Sequence, residues 1–252
     1  MGQRATLIDT ASVRTVLPVR DSDQSIRIAV AGLGHRGLHH CLRLHTFDDY
    51  RVVAVCDRRA EVLAAASSRL RAEHGLRVRT HADFGEMVAA GGLDAVVVAV
   101  DPDKQAGLVC HALRAGLDVM VEVPLAYALP DVWRIVQAVE VTGKRCLLME
   151  QTRYWGFVRA WREIVQAGVI GQPLFAEGEY FDHKPDAFFQ DEAGRFYTPK
   201  QAARCPSARP TWRQLTPTIG YMPHEISPLL FVLDDRVTRV VGMSTGPESH
   251  RY

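Results

Sequence analysis

The chain has 252 residues, 47% hydrophobic and 23% charged, the composition of a globular protein with room for one large domain or two modest ones. Its formal net charge is +1, with scattered arginines and no basic run, which excludes a strong electrostatic pull toward nucleic acid or an anionic membrane. No apolar stretch reaches the roughly 20 residues of a membrane-spanning helix, and the five cysteines (Cys41, Cys56, Cys110, Cys146, Cys205) include no CxxC pair, which points to free thiols in a reducing, cytoplasmic setting and to no metal site.

Residues 1–25 lack the apolar core of a secretory signal; Met1-Gly2 with Thr6 fits only a loose acylation pattern, so the segment is read as a flexible leader. Ile26 to Ala31 is predicted as a short buried strand, followed by Gly32-Leu33-Gly34-His35-Arg36-Gly37 and a helix to about His45. Tyr50 to Cys56 is a second strand, closed by Asp57, and Glu61 to His74 a helix. A short strand near Val78 and a helix over Asp83 to Ala90 lead into Ala95 to Val100, an unbroken apolar run of the kind found in central parallel strands. Helices over Gln105 to Ala115 and Pro130 to Thr142 alternate with strands over Asp118 to Glu122 and Cys146 to Met149. This alternation predicts an α/β fold, a doubly wound parallel sheet over residues 26–148.

The rhythm changes after that. Trp155 to Gln166 reads as a helix with Trp155, Val158, Trp161 and Val165 on one stripe. Pro173 to Phe181 and Val237 to Met243 read as strands, Glu225 to Leu233 as a helix, and residues 182–220 as a long loop without period. Residues 149–252 are therefore expected to form a second, α+β unit with an open, mainly antiparallel sheet, shortened because only two strands are evident.

The glycine motif has the context that gives it weight: it follows a strand, opens a helix, and an acidic residue closes the second strand 20 positions after Gly37. Gly32 permits the tight turn, Gly34 the close approach of a pyrophosphate, and Gly37 the close packing of helix on strand. The helix N-terminus offers free N–H groups to phosphates. With His35 and Arg36 in the turn, Asp57 is expected on the adenosine ribose, which favours NAD over NADP; Arg58 and Arg59 beside it keep NADP as the second choice. Glu122, at the end of a later strand, completes the expected cofactor set. His35, His39, His40 and His45 read as surface or supporting residues and not as metal ligands.

The segments Ile28 to Gly34, Leu93 to Ala99, Ala115 to Ala126 and Gly171-Gln172-Pro173-Leu174 resemble the Gfo/Idh/MocA oxidoreductases. The resemblance implies a Rossmann domain followed by an α+β domain, hydride transfer to NAD(P) from a sugar, cyclitol or related polyol, and homo-oligomers formed through the second-domain sheet. It also marks two departures. The family usually carries Glu-Lys-Pro where this chain has Glu122-Val123-Pro124, and an Asp four residues before a His where Gly220 precedes His224. Met149-Glu150-Gln151-Thr152-Arg153-Tyr154, Gly178-Glu179-Tyr180, Trp212-Arg213 and Tyr221-Met222-Pro223-His224 are similar to the NAD-dependent α-N-acetylgalactosaminidase branch, which also lacks the lysine. On that resemblance Tyr180 is the base at the sugar C2, His224 with Tyr221 handles the C3 hydroxyl proton, and Arg213 and Tyr154 bind substrate. Three functions follow: a polyol or sugar oxidoreductase first, a glycosidase using transient oxidation second, and a non-catalytic dinucleotide-binding sensor or interaction protein third.

Overall fold

The computed structural model describes residues 25–181, 188–191, 194–215 and 218–243; the expected leader, apart from Ser25, lies outside them. A six-stranded parallel sheet is built from β1 (Ile26–Ala31), β2 (Tyr50–Cys56), β3 (Arg79–His81), β4 (Ala95–Val98), β5 (Asp118–Val121) and β6 (Cys146–Leu148), in the order β3-β2-β1-β4-β5-β6. The connecting helices are α1 (His35–Leu44), α2 (Ala60–His74), α3 (Phe84–Ala89), α4 (Pro102–Arg114) and α5 (Leu129–Thr142). This strand order reverses direction between β1 and β4, and the crevice beyond the carboxyl ends of those strands is where a doubly wound sheet takes its ligand.

The strands read as apolar runs because both faces are covered. Side chains alternate between the faces. Ile28, Val30, Ala95 and Val97 pack with Cys41 and Leu44 of α1 and Leu70 of α2, while Ala29, Ala31, Val96 and Val98 pack with Met87 of α3, Val109 and Leu113 of α4 and Ile135 of α5. Cys41, Cys56 and Cys110 lie inside this core as free thiols, and burial pushes the first two up to about 12 and about 11, so they are inert.

Beyond β6 the expectations hold in part. Helix α6 (Gly156–Gln166) forms as read, but only Val158 of its apolar stripe is buried, while Trp161 is 52% exposed. The long segment read as loop contains a small antiparallel sheet, β7 (Phe189–Gln190), β8 (Phe196–Tyr197) and β9 (Arg209–Pro210), in the order β8-β7-β9. It is accompanied by the one-turn helices α7 (Pro199–Ala202) and α8 (Trp212–Leu215). Helix α9 (Pro223–Leu233) closes the described structure and packs on α6. The strands expected over Pro173 to Phe181 and Val237 to Met243 do not form: both stretches are extended or irregular, with no ladder partner among the described residues. Apolar content favours extension, but a strand exists only where a neighbour accepts its backbone hydrogen bonds.

Candidate active site

The turn from β1 into α1 is shaped by its glycines. Gly32 has φ +85°, and a Cβ there would sit 2.4 Å from the Ala99 carbonyl oxygen. A Cβ on Gly37 would sit 1.7 Å from the Gly32 carbonyl oxygen, so the helix enters directly on top of the turn. At Gly34 the space is open, with nothing within 4 Å of such an atom. Two glycines therefore serve the fold and the middle one leaves a cradle. Gly34 caps α1 without any side-chain cap, and no acidic residue stands in the first turn. The N–H groups of His35, Arg36 and Gly37 have no partner inside the helix, which suits an anionic diphosphate.

Asp57 is buried at the end of β2 beside this turn. Its Oδ2 accepts from the Leu33 N–H at 2.9 Å and its Oδ1 from the Arg59 N–H at 3.0 Å. The carboxylate thus braces the glycine turn from below, and Arg58 stands exposed next to it. Asp57→Ala leaves the Leu33 N–H without its acceptor, an expected loss of about 1–3 kcal/mol in urea denaturation. If Asp57 also holds the ribose, NAD affinity falls about tenfold as well; unchanged affinity in titration removes that role.

Glu122 emerges from β5 on the other half of the crevice. Its Oε2 lies 2.5 Å from His40 Nε2 and 3.2 Å from Arg36 Nε, so both partners come from α1. Burial pushes the Glu122 carboxyl up, but the His40 hydrogen bond and the Arg36 charge outweigh it and hold the group below the usual glutamate range. The following Val123 is buried, and the Val123–Pro124 peptide is cis. Among the described residues no group of three or more His, Cys, Asp or Glu could hold a metal ion, and no helix is long and apolar enough to cross a membrane.

The second cluster forms next door. Val121 and Leu148 are register partners of β5 and β6, so Glu122 and Glu150 leave the sheet at the same carboxyl edge. Glu150 is 4% exposed. Its Oε1 accepts from the Thr152 N–H at 2.8 Å, and its Oε2 lies 2.5 Å from His224 Nδ1. The Thr152 hydroxyl oxygen is 2.6 Å from both Glu150 Oε1 and the His224 carbonyl oxygen, which ties the end of β6 to the start of α9. Burial pushes the Glu150 carboxyl up, and the His224 and Thr152 hydrogen bonds overcome this and hold it low. An ionised Glu150 only accepts, so Nδ1–H donates to it, and in that tautomer Nε2 is the nitrogen with the lone pair.

The three expected catalytic residues converge. Segment 171–181 passes against α9, where a Cβ on Gly178 would sit 3.1 Å from Glu225 Oε2, and this delivers Tyr180 to the cluster. Tyr180 and Tyr221 stack with ring centroids 5.4 Å apart and 5° between planes, and His224 lies 5.5 Å from Tyr180 and 6.2 Å from Tyr221. Tyr221 ends a 3₁₀ turn (Thr218–Tyr221) that also holds Gly220, and His224 is the second residue of α9. Arg213 adjoins through Trp212: its guanidinium lies 4.5 Å over the Trp212 ring, itself 6.2 Å from Tyr221, and its buried Nε has no hydrogen-bond partner among the described residues. Tyr154 stands apart, 61% exposed under Arg153. An open groove of about 600 Å³ between Arg153, Arg162, Phe231 and Asp234 is lined by none of the tyrosines of the cluster, nor by His224 or the glycine turn. Glu150, Thr152, Trp212 and His40 carry contacts that sequence reasoning did not assign; the placement of Glu150, Thr152 and Trp212 inside the quoted segments was the available signal.

Residues 26–150 match the family model described as "Oxidoreductase family, NAD-binding Rossmann fold" (GFO_IDH_MocA). This is a Gfo/Idh/MocA-family domain. Its cofactor class is therefore NAD, in keeping with the open cradle at Gly34 and the uncapped start of α1. The chain is similar to "Glycosyl hydrolase family 109 protein 2" of Akkermansia muciniphila, 30% identical over 159 residues, covering 62% of this chain and 34% of that protein. The protein of the same name from Phocaeicola vulgatus is 30% identical over 175 residues, covering 68% and 42%. The chain thus spans well under half the length of these relatives. Among solved structures, the WlbA dehydrogenase from Bordetella pertussis in complex with NADH and UDP-GlcNAcA is 26% identical, with TM-score 0.55, covering 61% of this chain and 43% of that one. A probable dehydrogenase from Thermotoga maritima is 28% identical, with TM-score 0.54, covering 59% and 43%.

Proposed function

We propose that the chain binds NAD across the β1–β4 crevice and acts on a hydroxyl-bearing carbon of a carbohydrate-like substrate. The observation that carries this is the Glu150–His224 pair, set at the same sheet edge as the glycine turn and flanked by Tyr180 and Tyr221. When bound, NAD⁺ supplies the hydride acceptor. His224 Nε2 takes the hydroxyl proton of the carbon being oxidised, and Glu150 balances the charge that the imidazole then carries, as the carboxylate does in a Ser-His-Asp triad. Val123 carries no titratable group, so this histidine takes over the acid–base work on that side of the crevice. Arg213 and the Trp212 face bind the substrate's polar and apolar surfaces. Association of copies through the second unit belongs to the same proposal.

A second reading is favoured by the position of Tyr180, whose ring lies beside both His224 and Tyr221. A base there reaches the carbon next to the one oxidised. Once that carbon is a ketone, its neighbour's proton is acidified. Tyr180 removes it, the glycosidic group leaves by elimination, water adds across the double bond so formed, and the hydride returns to the ketone, the route that exempts NAD-dependent glycosidases from the two-carboxylate scheme. The names of the relatives support this route. The two readings separate in one assay: the oxidoreductase accumulates NADH from NAD⁺ and a polyol, while the glycosidase releases nitrophenol from a nitrophenyl glycoside with no net NADH. Tyr180→Phe is expected to lower glycoside release about 10²-fold or more and to leave NAD affinity unchanged; retained release removes Tyr180 as the base. Cofactor binding with no turnover in either assay would leave a dinucleotide-binding protein without catalysis.

A further inference from the structure

The charged cluster on α1 contains a side chain that the dinucleotide reading leaves without a task. His40 is 7% exposed, one turn beyond Arg36, and its Nε2 is 2.5 Å from Glu122 Oε2. Arg36 Nε approaches the same oxygen at 3.2 Å. Two donors on one carboxylate oxygen fix the rotation of the group. The other oxygen, Oε1, has no hydrogen-bond partner among the described residues. Glu122 itself stands at the end of β5, in the half of the crevice opposite Asp57. A dinucleotide that places its adenosine ribose by Asp57 and its diphosphate on the glycine turn carries its nicotinamide to the β4–β5 side.

We propose that His40 is a positioning residue for the nicotinamide end of the cofactor: together with Arg36 it holds Glu122 Oε2 against α1, so that the free Oε1 is presented to the ring. This rests on the dinucleotide reading above. The nicotinamide is cationic in NAD⁺ and neutral in NADH, so a carboxylate held still beside it favours the oxidised form by simple Coulomb attraction. A pair that merely ties α1 to β5 would alter stability and would treat the two cofactor forms alike.

The test uses dissociation constants of the full chain for NAD⁺ and for NADH, read separately by titration calorimetry. His40→Leu removes the donor and His40→Gln retains one. His40→Leu is expected to weaken NAD⁺ about tenfold and NADH less than about threefold, with His40→Gln restoring most of the loss. In a Glu122→Gln background His40→Leu should add nothing, because the histidine acts through that carboxylate. Equal weakening of both cofactor forms, or a full effect persisting in Glu122→Gln, overturns the proposal while the dinucleotide reading stands. A wild-type chain that binds neither form overturns both. Should His40→Leu fail to fold, Glu122→Gln alone decides: its preference for NAD⁺ over NADH must fall relative to wild type, and an unchanged preference overturns the proposal.

Discussion

Gly37→Ala is expected to abolish dinucleotide binding and to destabilise the whole Rossmann domain. The added Cβ would lie 1.7 Å from the Gly32 carbonyl oxygen, a backbone atom that cannot swing aside as a side-chain tip could. Either α1 shifts away from the sheet or the turn opens. A shift of α1 disturbs Cys41 and Leu44, which are part of the core over Ile28 and Val30. Overpacking of this kind costs about 3 kcal/mol at its upper end, which in a domain of this size lowers Tm by roughly 6–12 °C. An open turn also moves the free N–H groups of His35 to Gly37 out of the phosphate's reach. Gly34→Ala is the control: its Cβ enters open space in the protein alone, so stability should hold while NAD affinity falls. A thermal melt and an NAD titration on both variants separate the two effects. A Gly37→Ala chain with wild-type Tm and affinity would mean that the turn is not built as described.

His224→Ala should reduce turnover about 10²–10⁴-fold, the usual contribution of a positioned general acid–base group, and should leave NAD binding intact. Glu150→Gln tests the partner. It keeps the shape, but its single carbonyl oxygen cannot accept from both the Thr152 N–H and His224 Nδ1; with the oxygen on Thr152 the amide NH₂ faces Nδ1 and moves the ring proton to Nε2, so a loss approaching about 10⁴-fold is expected. The same variant has a stability signature. Glu150 is held below its ordinary value when folded, so its contribution is present above that ordinary value and is lost as pH falls through the folded value. The native chain should therefore lose stability on the acid side, and Glu150→Gln should flatten that limb of a pH–denaturation series. Full turnover in His224→Ala would remove the histidine from the chemistry.

The Rossmann half was legible because its signals are local. Period-two alternation sorts Ile28 and Val30 from Ala29 and Ala31, and Ala95 to Val98 is apolar on both faces because both faces are covered. The glycine turn was legible because a positive φ and two sub-van-der-Waals approaches permit one residue type. The second half was harder. Whether 173–181 pairs with a neighbour depends on residues far away in sequence, and the small β7–β8–β9 sheet has strands too short to generate a period. The candidate site divides in the same way. Tyr180, Tyr221 and His224 were found through the resemblance and do meet. The Glu150–His224 bond joins positions 74 apart, and no spacing rule predicts it.

Gln105, buried inside α4, puts its Nε2 within 3.1 Å of the Glu122 carbonyl oxygen and 2.5 Å of that of Pro124. The path of the peptide after β5 is therefore dictated from within the helix layer, by main-chain atoms that every residue possesses. None of these bonds involves the side chain at 123, which is buried. A substitution at 123 therefore leaves these bonds in place and acts through the packing of its buried side chain.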